Sequence, residues 1–116
     1  MIKVKLGKYA IIMCFEYNGK TFGVSSRFSG CTYGPFVFIR SRCWNDRGLI
    51  EHELVHSRQF WNPLKWFDGT LKWEIEAYKE QLKWYAEDKT HLFATFIATK
   101  YGLDISVEEA EKLLRN

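Results

Sequence analysis

The stretch from Asn45 to Trp61, NDRGLIEHELVHSRQFW, decides how this chain is read, and His52-Glu53-Leu54-Val55-His56 sits at its centre. No proline interrupts it, and Asn45 or Asp46 can cap its first turn. Pro63 disfavours helical geometry at Asn62, so the pattern predicts a helix over residues 45–61. On that helix His52 and His56 are four residues apart, and both imidazoles project from one face toward a common metal ion. Glu53 lies about 100° further round, beside the metal rather than on it. A carboxylate there can take a proton from a zinc-bound water. Ile50, Leu54 and Trp61 cluster on the opposite side, with Arg47, Glu51 and Arg58 forming a polar stripe. The helix is therefore anchored from behind by apolar packing. Two satisfied core histidines are the bland alternative, and it leaves the intervening Glu53 unexplained.

Two histidines hold zinc weakly, and a catalytic site has three protein ligands with a fourth position for water. Leu71 to Asp88 reads as a second amphipathic helix, with Asp68 or Thr70 as its cap. Lys72, Glu76, Lys79, Glu80, Lys83 and Glu87 fall in a solvent-facing arc, and Leu71, Ile75, Tyr78, Leu82 and Tyr85 lie opposite. Glu74 sits in the middle of the apolar side, where an unpartnered carboxylate is costly. A zinc ion removes that cost, and so would an arginine. Glu74 is assigned as the third ligand, with Glu76 as its competitor. The two are about 200° apart on a helix and cannot both face the metal. Glu76 falls at the centre of the charged arc, between Lys72 and Lys79, where a solvated role is expected.

His52-Glu53-Leu54-Val55-His56 followed by Glu74-Ile75-Glu76-Ala77-Tyr78 resembles the zincin metallopeptidases of the gluzincin type. In many of them the third-ligand helix reads Glu-x-x-Ala or Glu-x-x-Ser before a polar residue. The run His-Glu-Leu-Val-His-Ser-Arg-Gln is similar to small peptidase-like proteins of phages and prophages. The resemblance covers about residues 45 to 85. It implies a zincin-like domain, Zn²⁺ on His52, His56 and Glu74, Glu53 as general base, and a peptide or protein substrate. Such proteins hold substrate on an edge strand, a role that would fall to Phe36 through Arg40, unless that run is an ordinary core strand. Most family peptidases carry extra subdomains, and this sequence departs from them in its small size. The metzincin pattern would need Gly and His at the positions that hold Gln59 and Asn62, which excludes it.

With 116 residues the chain is long enough for one domain with a real core. A composition 47% hydrophobic and 17% aromatic excludes a disordered chain. The net charge of +3 is too modest to argue for nucleic acid. Cys14, Cys31 and Cys43 lack Cys-x-x-Cys spacing and read as idle thiols in a reducing compartment. No transmembrane segment is expected. The start of the chain, with Lys3, Lys5 and Lys8 before Tyr9 to Phe15, lacks a small-residue cleavage site, so a cytoplasmic protein is expected, with no membrane partner. None of these patterns specifies an oligomeric state.

The expected fold class is α+β, a single unit over 1–116. Residues 1–44 form a small antiparallel sheet, and residues 45–116 form three to four helices that include the His-Glu helix. Tyr9 to Tyr17 and Lys20 to Ser25 flank Asn18-Gly19, a two-residue hairpin turn. Ile2 to Leu6 adds a strand, Ser29 to Gly34 reads as a loop, and Phe36 to Arg40 as a strand. Thr90 to Tyr101 is helical and stops at Gly102. Ser106 and Glu109 make a capping box for a last helix with Val107, Ala110 and Leu113 inward. His91 reads as a surface residue. The second helix of this pair carries no basic cluster, which argues against a DNA-binding helix pair.

The mechanism expected is hydrolysis of a peptide amide bond by a Glu53-activated water, with Tyr78, one turn from Glu74, as oxyanion donor. The first alternative is a zincin-fold binding or regulatory protein whose zinc is structural or vestigial. The second is a nucleic-acid module using the Leu-Lys-Trp triplets at 64, 71 and 82, which amphipathic packing also explains.

Overall fold

A computed structural model describes residues 3–7, 9–14 and 29–116. Four short strands come first: β1 (Lys3–Leu6), β2 (Ile11–Cys14), β3 (Gly30–Tyr33) and β4 (Phe36–Ile39). Four helices follow: α1 (Arg47–Trp61), α2 (Thr70–Leu82), α3 (Thr90–Lys100) and α4 (Val107–Arg115). Two 3₁₀ turns, Ser41–Cys43 and Pro63–Phe67, lead into and out of α1. The expected order of a small sheet and then helices is therefore present. Among the described residues, no helix is long and apolar enough to cross a membrane.

The sheet order is β1-β2-β4-β3. Its outer pairs are antiparallel, as expected, but the central β2–β4 ladder is parallel, with Ile12 opposite Val37 and Cys14 opposite Ile39. The strand expected at Tyr9–Tyr17 is seen as Ile11–Cys14; the Asn18-Gly19 turn and the Lys20–Ser25 strand lie outside the described residues. Two expectations are corrected. Ser29 to Gly34 is no loop, because Gly30–Tyr33 forms a strand. Phe36–Ile39 is no edge strand, because it lies between β2 and β3, which explains its nearly continuous burial. The two strands turn at Gly34 and Pro35. Gly34 has φ 59°, and a Cβ there would meet the Phe60 ring at 3.3 Å.

Helix α1 lies between two apolar clusters. Ile50, with Leu49 and Leu54, packs on Ala10, Ile12, Val37 and Ile39 of the sheet. On the far side α2 covers α1, and Tyr78 of α2 joins Phe93, Ala94, Ile97, Ala110 and Leu114 of α3 and α4. Trp61 departs from the anchoring side and is exposed, though its indole N–H donates to Tyr9 O at 2.9 Å.

Asp46 is the N-cap of α1, its Oδ1 accepting from Leu49 N at 3.1 Å. The same Oδ1 accepts from the Tyr85 hydroxyl at 2.6 Å, and the Tyr85 ring lies so close to Gly48 that an added Cβ would come within 2.6 Å of it. This contact explains why α2 ends at Leu82 rather than Asp88: the chain leaves the helix to bring Tyr85 back onto α1. At its start α2 is preceded by Gly69 in the cap position, not capped by Asp68 or Thr70. In α4 the Ser106 cap forms as expected, but Leu114 rather than Leu113 is buried. Exposed His91 pairs with Glu111.

Candidate metal centre

The α1–α2 pairing brings His52, His56 and Glu74 together. One ligand atom from each lies within 4.8 Å of the others. The two Nε2 atoms are 3.2 Å apart; Glu74 Oε1 is 3.2 Å from His52 Nε2, and Oε2 is 3.0 Å from His56 Nε2. Four ligands at about 2.0–2.1 Å around a tetrahedral zinc stand about 3.3 Å from one another, close to the contacts the two Nε2 atoms make with each other and each with one Glu74 oxygen. Glu74 Oε1 and His52 Nδ1 are both buried without a hydrogen-bond partner. A buried carboxylate oxygen in contact with an imidazole yet making no hydrogen bond is what a site shaped for a cation leaves behind. The donor set therefore fits a divalent metal such as Zn²⁺, with two imidazoles and one carboxylate.

Glu53 stands beside this triangle. Its Oε1 accepts from Thr32 Oγ1 at 2.9 Å, and its Oε2 lies 3.7 Å from His52 Nε2. Thr32 thus fixes which carboxylate oxygen faces the cluster. Thr32 Oγ1 also reaches Glu53 O at 3.1 Å, tying β3 to α1.

Glu76 does not reach the cluster; its side chain stays 34% exposed, but its partners come from outside α2 rather than from Lys72 and Lys79. It accepts from Gln59 Nε2 at 3.0 Å and from Lys65 Nζ at 3.2 Å, with Arg58 at 3.9 Å. Because Gln59 Nε2 also donates to Trp73 O at 3.2 Å, its amide orientation is set, and Oε1 accepts from His56 Nδ1 at 2.9 Å. That bond places the proton on Nδ1 and leaves Nε2 for the metal.

Burial lowers the affinity of His56 for a proton, but Glu74, Glu53 and Gln59 outweigh it and raise its pKa to about 9. Burial likewise works against the Glu74 carboxylate, and the adjoining His52 and His56 imidazoles hold it down at about 2. Without metal, the pair is therefore an imidazolium–carboxylate contact. The Cys31 thiol is pushed up to about 12 by burial and the nearby Glu53 charge, so it is a poor metal ligand.

Tyr78 is buried with its ring edge-on to His52 at 4.3 Å between centroids, and its hydroxyl meets that of Tyr101 at 2.8 Å. Burial raises the pKa of both phenols, so both stay protonated. The triad and Glu53 open into a cavity of about 380 Å³ lined also by Thr32, Gln59, Phe60, Trp66, Trp73 and Tyr101. A second cavity of about 260 Å³ shares Gly30, His52, Glu53 and Tyr101 with the first, so the cleft runs past Glu53 on both sides.

Thr32, Gln59 and Tyr101 join the site without belonging to any motif in the sequence. Gln59 had a local signal, since it lies three residues after His56 on the same helix face. Thr32 and Tyr101 come from distant elements and had none. Comparison with family models, with curated proteins and with solved structures finds no match to this chain. What the site itself defines is a small α+β unit with a zincin-like metal-binding cluster on two adjacent helices.

Proposed function

We propose that this protein is a zinc-dependent metallopeptidase of the gluzincin type, hydrolysing peptide amide bonds. The observation that carries the reading is the convergence of His52, His56 and Glu74 while Glu53 is held off the ligand set, one oxygen bound by Thr32. Zn²⁺ on that triad would supply Lewis acidity, which activates water and polarises a carbonyl. Glu53 accepts the proton of the attacking water through Oε2 and delivers it to the leaving amine as the C–N bond breaks. Tyr78 is assigned to oxyanion stabilisation together with Tyr101, its hydrogen-bonded neighbour on the cavity wall. Strand β3, with a single strand neighbour among the described residues, offers its outer backbone edge to an extended peptide. This is the role the sequence resemblance gave to Phe36 through Arg40, moved one strand outward.

A structural zinc is closed by four protein ligands. Three converge here among the described residues, and they line an open cavity, which supports the hydrolytic reading over the structural one. Elemental analysis and peptide cleavage test it together. Native protein carries one zinc per chain and cleaves; Glu74→Ala loses the metal; Glu53→Gln keeps it and does not cleave. Turnover by Glu53→Gln, or a native chain that takes up no zinc, refutes the proposal.

A further inference from the structure

The cavity wall on the His56 side is aromatic. Phe60 comes from the last turn of α1, Trp66 from the 3₁₀ turn and Trp73 from the first turn of α2. Both indole N–H groups are committed to backbone: Trp66 Nε1 donates to Phe60 O at 2.9 Å and Trp73 Nε1 to Lys65 O at 2.6 Å. The indoles therefore offer the cavity hydrocarbon faces, fixed in place and without a spare donor. Among the described residues the lining contains no Lys or Arg, and its two carboxylates, Glu53 and Glu74, repel a third. These described walls disfavour an acidic side chain and suit a large apolar one.

The apolar surface continues past the mouth. Phe60 and Trp66 line the cavity and are also 41% and 55% exposed, so they belong to both surfaces. Residues three apart in a 3₁₀ turn eclipse one another, which stacks Leu64 and Phe67 on one outer face, 81% and 92% exposed. Scattered apolar residues on a surface are ordinary; a run that ends in a cavity marks a binding site. Lys65 in the same turn is engaged by Glu76 at 3.2 Å and Asp68 at 3.7 Å. Its charge is thereby offset, which fits an apolar polypeptide better than an anionic lipid surface.

We infer that the substrate is an extended polypeptide segment rich in large apolar side chains. One aromatic or branched aliphatic side chain sits among Phe60, Trp66 and Trp73, and its neighbours lie on Leu64 and Phe67. The inference deepens the peptidase reading and rests on it for the role of the triad; binding itself needs only the aromatic wall and the β3 edge.

The test is a fluorescence titration of zinc-loaded Glu53→Gln protein, repeated without metal, with capped peptides that differ at one position as Phe, Leu, Asp, Arg or Gly. Phe and Leu peptides should bind about ten- to a hundredfold more tightly than Gly or Asp peptides. Trp66→Phe should keep that preference, and Trp66→Ala should lose it. Leu64→Ser with Phe67→Ser, both on the surface, should weaken only peptides long enough to reach them. Equal binding of all five peptides, a preference for Arg, or an unchanged preference in Trp66→Ala overturns the inference. So does sedimentation with phosphatidylcholine vesicles that the Leu64/Phe67 double substitution abolishes. Selective binding without cleavage by native protein would sink the peptidase reading alone, whereas cleavage without side-chain preference would sink this inference alone.

Discussion

Replacing Gln59 with Leu should weaken zinc binding without dismantling the fold. Gln59 is buried between α1 and α2, where Oε1 holds His56 Nδ1 at 2.9 Å and Nε2 holds Glu76 and Trp73 O. Leucine has similar bulk and no polar atoms, so the change removes the hydrogen bonds with little alteration of packing. Losing the outer partner of a metal-bound imidazole costs about 10–100-fold in metal affinity, or about 1.4–2.7 kcal/mol. The upper half of that range is expected, because among the described residues only Gln59 holds His56 Nδ1. Glu76 keeps Lys65 as a partner, so the metal-free fold should lose only about 1 kcal/mol. Competition against a chromophoric chelator measures the zinc Kd, and thermal melting of the metal-free protein measures the fold. A Kd unchanged within about twofold would refute the argument that Gln59 sets the His56 tautomer for a metal. So would an affinity loss matched by an equal loss of metal-free stability, since Gln59 would then act on the fold alone.

Thr32→Val should lower kcat with KM little changed, while Thr32→Ser restores the rate, because only the hydroxyl holds Glu53 Oε1; steady-state kinetics on a peptide substrate decide it. Gly48→Ala should destabilise the protein by about 1–3 kcal/mol, since its Cβ would come within 2.6 Å of the Tyr85 ring, and a melting curve reads the loss. The metal-free protein should be most stable between about pH 4.5 and 6.5 as far as the His56–Glu74 contact decides. His56, raised from 6.5 to about 9, contributes fully below 6.5 and loses its contribution as pH climbs through about 9. Glu74, lowered from 4.5 to about 2, contributes above 4.5 and fails as pH falls through about 2. Chemical denaturation across pH checks both limbs, and a stability that rises from pH 6.5 to 9 would contradict the contact.

What was legible in the sequence is what depends on neighbours along the chain. Asp46 and Ser106 are caps with helical patterns directly after them, and both caps form. Glu74 could be placed by the helical wheel, because a carboxylate on an apolar face must meet a cation wherever the helix packs. The wheel failed where tertiary contact overrides the local pattern. Glu76 belongs to the charged arc and stays partly exposed, yet its partners Lys65 and Gln59 arrive from α1 and the turn after it rather than from its own helix. Gly30-Cys31-Thr32-Tyr33 shows no alternation of apolar and polar residues and becomes a strand only because β4 lies beside it. The parallel β2–β4 ladder joins segments more than twenty residues apart, a pairing no local signal encodes.

The site also explains how so short a chain can hold ligands in position. Helices α1 and α2 run antiparallel, and two contacts fix their separation. Near the start of α1, Tyr85 closes on Gly48 and Asp46; near its end, Gln59 closes on Trp73 and Glu76. From Gly48 to Gln59 is about 16 Å of helix, and His52 and His56 lie between these two points. Contacts of 3.0–3.2 Å from both histidines to the two Glu74 oxygens tolerate little change in the distance between the two helices. Clamping the pair at both ends transfers that requirement to groups that touch no metal. The opposite face of α1 meanwhile rests on the sheet, which is also where Thr32 reaches Glu53. The geometry of the His52–His56–Glu74 cluster is thus set from the helical side and that of Glu53 from the strand side. Altering one of these supports should therefore change metal affinity or turnover selectively, rather than both together.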